Sequence, residues 1–216
     1  MKITKELLRE KGACAAGYRD FLKEFPEEKY PDGVEYQDLL DCCAEKDFSY
    51  GSWLLSEFGR TDDVRRIDGD LITKKSIIFA GRLEVSGIIK AGKGIEAGKG
   101  IEAGEGIKAG WGIEAGEGIK AGKGIEAGEG IEAGEGIKAG EGIEAGKGIK
   151  AGWGIKAGWG IKAGWGIEAG WGIEAGCEFG IYAGLRVRIT SEYRKIIAKT
   201  KPENIMCGEF VEAENE

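Results

Sequence analysis

The chain has 216 residues, a net charge of −7, 40 glycines, three prolines, five cysteines and no histidine. The missing histidine removes the commonest general base, proton shuttle and metal ligand, and the absence of a Gly-X-Y period excludes collagen. No apolar run is long enough to span a bilayer, and Lys2, Lys5 and Glu6 interrupt the N-terminus before an apolar core of signal-peptide length can form. The expected compartment is therefore the cytoplasm of a bacterial host.

Residues 1–66 read as a small helical domain. Thr4 is placed to cap a first helix through Leu7 and Leu8, and Ala15, Tyr18, Phe21 and Leu22 mark the apolar face of a second. Pro26 and the Pro31-Asp32-Gly33 turn interrupt the pattern. Tyr36-Leu39-Leu40-Cys43 and Trp53-Leu54-Leu55-Phe58 then suit two further short helices. Sixty-six residues enclose only a small core, so this domain is expected to lean on the first coil of the repeat region next to it.

From Ile89 to Ile173 fifteen isoleucines recur every six residues, all but the last opening the full phrase Ile-x-Ala-Gly-x-Gly. The first variable position is Glu or Lys; the second is Lys, Glu or Trp. Counting back by sixes gives Leu83, Ile77 and Leu71, so the register holds for 18 hexads before it slips at Cys177-Glu178-Phe179-Gly180. A period of six matches the coils of β-helices. Alternation within Ile-x-Ala buries Ile and Ala and exposes the charge. Continued alternation would bury the second variable residue too, and stacked buried charges cost several kcal/mol each. The chain must therefore turn after Ala, at the glycines, which serve as corners or points of close approach.

Three hexads make a triangular coil of 18 residues, and two make a flattened coil of 12. With 18, the corner columns read Lys93-Trp111-Glu129-Lys147-Trp165, Lys99-Glu117-Glu135-Trp153-Trp171 and Glu105-Lys123-Glu141-Trp159-Cys177, with a single like-charge contact. With 12, Glu105, Glu117, Glu129 and Glu141 stack in a row, which favours the triangle. The expected fold is an all-β solenoid, a parallel triangular β-helix over residues 67–189, with a helical N-terminal domain and a C-terminal cap or tail over 190–216. Leu185 to Ile189 alternates as a closing strand. The cysteines lack paired spacing and read as reduced, mostly buried thiols.

The stretch from Asp68-Gly69-Asp70-Leu71 to Leu83-Glu84-Val85-Ser86-Gly87-Ile88-Ile89-Lys90-Ala91 resembles the β-helical core of bactofilins, the polymer-forming cytoskeletal proteins. That resemblance implies a self-assembling structural protein. The hexad also resembles that of left-handed hexapeptide acyltransferases. In those, however, the small inner residue precedes the aliphatic one, and catalysis relies on a histidine that this chain lacks. A helical leader with Trp53-Leu54-Leu55 before Gly-Ile-x-Ala-Gly coils is similar to repeat proteins of phages and mobile elements. That similarity implies an inhibitor of a host defence complex, of the anti-CRISPR kind, with a bacterial defence effector as its protein partner.

The repeat carries 11 Lys against 13 Glu, and residues 1–66 carry 11 basic against 15 acidic groups. Neither an acidic rod nor a basic stripe results, so no direct nucleic-acid binding is expected. The register admits no loop insertion before Cys177 that would build a cleft, so no enzyme activity, cofactor or metal is expected. The residues that point to function are Trp111, Trp153, Trp159, Trp165 and Trp171, whose corner positions face water. They can bind a partner, lie under the C-terminal tail, or form a homodimer contact. Arg186, Arg188 and Arg194 belong to a basic cluster that either contacts phosphate or an acidic protein or forms a solvated cap.

Overall fold

The computed structural model describes residues 1–187 and 192–213. From Ile89 to Ala169 each Ile-x-Ala triplet forms a three-residue strand, and parallel pairing joins each of these strands to one 18 residues away, as in Ile107 with Ile125 and Ile125 with Ile143. Three sheets result, of eight, eight and seven strands among the described residues, and they form the sides of a triangular solenoid of about eight turns. We name them by their first strands: the Leu71 face (Leu71–Thr73), the Ile77 face (Ile77–Phe79) and the Val64 face (Val64–Ile67). Ile and Ala are buried at every phrase from Ile89 to Ala169, and no polar or charged residue is buried among the described residues.

The two glycines of the phrase do different things. None in the repeat has positive φ among the described residues, so conformational licence is not their role. A Cβ on Gly128 would lie 2.1 Å from the Gly110 carbonyl oxygen of the preceding coil, a distance no neighbour can relieve without moving backbone. On Gly130 it would lie 3.4 Å from the Gly148 oxygen. The first glycine lets stacked corners touch; the second only tightens them.

Four helices precede the solenoid: α1 (Lys5–Glu10), α2 (Ala15–Glu24), α3 (Tyr36–Lys46) and α4 (Gly51–Phe58). The Thr4 hydroxyl accepts the Leu7 N–H at 3.2 Å, capping α1 as expected. An antiparallel pair, Lys2–Ile3 with Val34–Glu35, has no counterpart in the sequence pattern. Leu22, expected on the apolar face of α2, is exposed instead. Ile78 and Ala80 of the first coil complete the helical core, so the domain does lean on the solenoid.

The contact is more specific than apolar packing. Ile77–Phe79 is the first strand of its sheet, and the Gln37 side chain occupies its free edge. Its Nε2 donates to the Ile78 carbonyl at 2.8 Å and its Oε1 accepts from the Ala80 N–H at 3.0 Å. Lys75 and Lys93 each bond Asp47 at 2.8 Å, Lys99 pairs with Asp62, and the Arg65 guanidinium covers the Phe79 ring at 4.7 Å.

Several boundaries move. The solenoid begins at Val64, three residues before the expected start, because Val64–Ile67 already pairs with Arg82–Val85. Leu185–Val187 is a turn with Leu185 exposed, not the start of a closing strand; Arg188 and Ile189 lie outside the described residues. Lys195–Ala198, Ile205–Cys207 and Glu209–Glu212 extend two of the sheets, so the segment expected as a cap or tail builds further coil. After the phrase ends the coils swell: Ile161 pairs with Ile181 and Ile167 with Ile196. All five thiols are free, but only Cys43 is buried.

Candidate protein-binding surface

Corner residues stack as the 18-residue columns require, each backbone N–H bonding the carbonyl one coil earlier: Trp111 to Lys93 at 3.3 Å and Trp165 to Lys147 at 3.2 Å. The third column departs at its end, where Gly176, not Cys177, donates to the Trp159 carbonyl at 2.9 Å. The five indoles are exposed, as expected, but they do not form one edge. Trp111 and Trp165 share the first corner, Trp153 and Trp171 the second, and Trp159 occupies the third. Four successive phrases place their indoles around the rod because each phrase advances one corner.

The C-terminal segment covers part of this belt. Phe179 stacks on Trp159 at 5.8 Å between centroids and Tyr193 lies against Trp165 at 5.4 Å. Lys199 sits 5.2 Å over Trp171, while Lys93 sits over Trp111 at 5.1 Å. Trp153 and Trp171, on adjacent coils of one corner, stay the most open at 63% and 67% exposure. They are the most exposed indoles of the belt, and interface anchors are enriched in such residues. Arg186 lies along the first corner, its side chain against Gly146 and Gly164. Arg194 packs on Gly184, with a guanidinium nitrogen 3.7 Å from Cys207 Sγ. Both therefore take part in the C-terminal packing.

The outward charges differ between faces. Coil-to-coil pairs lace the Leu71 face (Lys108–Glu126, 2.7 Å) and the Val64 face (Lys120–Glu102, 2.6 Å; Lys156–Glu174, 2.7 Å). On the Ile77 face, Glu96, Glu114 and Glu132 stack in register before Lys150 and Glu168 pair at 3.8 Å, and Lys120, Lys138 and Lys156 stack likewise on the Val64 face. Burial beneath α4 pushes the Glu96 carboxyl up, against the hydrogen bond from Ser52 at 2.9 Å, and Glu114 adds to the rise. Glu114 is raised as well, by desolvation and by Glu132. These carboxylates floor a groove that runs from Phe48 and Ser52 to Tyr193, with Trp111 and Trp165 on its rim. Charge counting over the whole repeat misses this column; applying the 18-residue step to the outward position reveals it.

Among the described residues no group of three or more Cys, Asp or Glu side chains is arranged to hold a metal ion, and no helix is long and apolar enough to cross a membrane. The fold and surface define a triangular parallel β-solenoid carrying a docked helical domain. Residues 1–60, the helical domain up to the first solenoid strand, match the YdhT N-terminal domain family. No curated protein and no solved structure matches the chain.

Proposed function

We propose that this protein is a non-catalytic protein-binding scaffold whose contact surface includes the Trp153–Trp171 corner. The observation that carries this reading is a pair of indoles on adjacent coils of one corner that stay the most exposed, while Phe179 and Tyr193 of the protein's own chain pack on Trp159 and Trp165. Exposed Trp is costly in water and is enriched where partners bind. The specific form suggested by the repeat style is an inhibitor from a phage or mobile element that occludes a bacterial defence complex in the cytoplasm. The test is affinity recovery from bacterial lysate with wild type, Trp153→Lys/Trp171→Lys, and Ile72→Lys as an exposed control away from that corner. Partners lost from the double variant and kept by the control support the reading. Equal recovery by all three removes the corner from the surface.

A second reading, self-assembly through solenoid ends, is favoured by one feature: Val64–Ile67 and Leu71–Thr73 are first strands of their sheets, and open strand edges template pairing. Gln37 occupies the third edge and opposes end-to-end extension. Light scattering coupled to size exclusion separates the readings, since a concentration-independent monomer excludes assembly.

A further inference from the structure

The helical domain forms a half-open cavity of about 260 Å³ walled by Leu8, Phe21, Phe25, Leu39, Phe48 and Trp53. Its remaining wall is the turn between α1 and α2, where the residues are small. Gly12 holds a left-handed backbone (φ +75°), and no atom lies within 4 Å of where its Cβ would stand. The thiols of Cys42 and Cys43 also contribute. Burial raises the first and pushes the second up to about 12, so both stay protonated at neutral pH and behave as apolar lining.

Size restricts the occupant. Sites for small-molecule ligands usually span about 300–1,000 Å³, whereas a dry cavity of about 150 Å³ holds benzene. A volume between these limits suits one large aromatic side chain. Charge restricts it further. The ionisable acids in the lining are Asp20 and Glu24, and no Lys or Arg lines the cavity. Asp20 accepts from the Tyr50 hydroxyl at 3.1 Å, and Glu24 meets Lys46 at 3.3 Å. Residues 1–60 carry nine basic and 13 acidic groups, so the surroundings are acidic as well. Phe48 also lines the groove floored by Glu96, Glu114 and Glu132, which offers carboxylates to whatever extends from the cavity.

We propose that this cavity is an anchor pocket for an aromatic side chain, Trp or Phe, on a partner segment that carries Lys or Arg on either side of it. The proposal rests on the protein-binding reading and supplies the partner's chemistry, but it uses none of the solenoid tryptophans. The basic flanks supply electrostatic complementarity to the acidic rim, and the ring supplies the buried contact.

The experiment titrates the full chain, ¹⁵N-labelled, with the capped peptide Lys-Lys-Trp-Lys-Lys, and in parallel with Lys-Lys-Ala-Lys-Lys and Glu-Glu-Trp-Glu-Glu. Saturable shifts at the Leu39 and Phe48 amides and the Trp53 indole N–H are expected, with Trp→Ala in the peptide weakening binding at least tenfold and the acidic peptide giving no shifts there. Ala13→Trp, which fills the cavity, should abolish the shifts. If that variant unfolds the helical domain, Asp20→Lys/Glu24→Lys supplies the second measurement and should weaken binding at least fivefold. Equal affinity for the Ala peptide, or shifts confined to the Ile77 face or the Trp153–Trp171 corner, would overturn the proposal. Partner recovery through Trp153 and Trp171 would still stand in that case, so the two failures are distinct.

Discussion

A single methyl group tests the stacking of corners. Gly128→Ala forces a Cβ against the Gly110 carbonyl, where only backbone can yield, and should cost about 3 kcal/mol in urea unfolding. Gly130→Ala meets the Gly148 oxygen at contact distance and also stiffens the unfolded chain, so its effect should stay within about 1 kcal/mol of zero. Equal losses would show that both glycines are needed for backbone freedom and not for proximity. The acidic column is testable at the same scale. The native state holds Glu96 above its ordinary carboxyl value, so it binds the proton more tightly than the unfolded chain does. The associated stability is present below the ordinary value of 4.5 and is lost as pH rises through the raised one. Glu96→Gln keeps an acceptor for Ser52 and should raise Tm by about 1–3 °C at pH 7, with no difference from wild type at pH 4. A gain that persists at pH 4 would rule out the charge as its cause.

Among elements, the Gln37 side chain closes the hydrogen bonding at the junction between α3 and the first strand of the Ile77 face. Gln37→Ala leaves the buried Ala80 N–H and the Ile78 carbonyl without their partners, which should cost about 1–3 kcal/mol. Hydrogen exchange at Ala80 should accelerate more than at Ala97, one coil along the same sheet; uniform acceleration would point to global loss of stability instead. Legibility in the sequence divides in the same way. Thr4, the helical apolar faces and the hexads obey local or periodic rules, so the elements, the 18-residue coil and the corner columns can all be read. Gln37 cannot, because the edge it occupies exists only after the chain has coiled. The distribution of the indoles over three corners is implicit in the columns, yet four consecutive phrases suggest a single edge. The covering of Trp159 and Trp165 by Phe179 and Tyr193 depends on a path that begins where the phrase fails, and no period describes that path.

Across the whole molecule, the variable letters of an otherwise uniform rod are spent where other segments meet it. Lys93 and Lys99 hold Asp47 and Asp62 beside the helical domain, Glu117 meets Arg60 at 3.8 Å, and indoles carry the C-terminal turns. Between them the coils are nearly interchangeable, so whole-coil changes alter the rod's length without rotating its corners, whereas single-hexad changes alter both. Deleting 125–142 removes one complete coil, rejoins Gly124 to Ile143 within the phrase and returns every later residue to its own corner. Stability here is close to a sum over neighbouring coils, so the variant should stay folded with Tm lowered by a few degrees. Deleting 125–130 also preserves the phrase, but it advances every later residue by one corner and turns the Trp153–Trp171 pair away from its original position relative to the helical domain. If one partner grips the helical domain and that corner together, the first deletion should retain measurable binding and the second should lose it. Equal binding by both variants, measured by titration with the recovered partner, would show that one end of the molecule suffices.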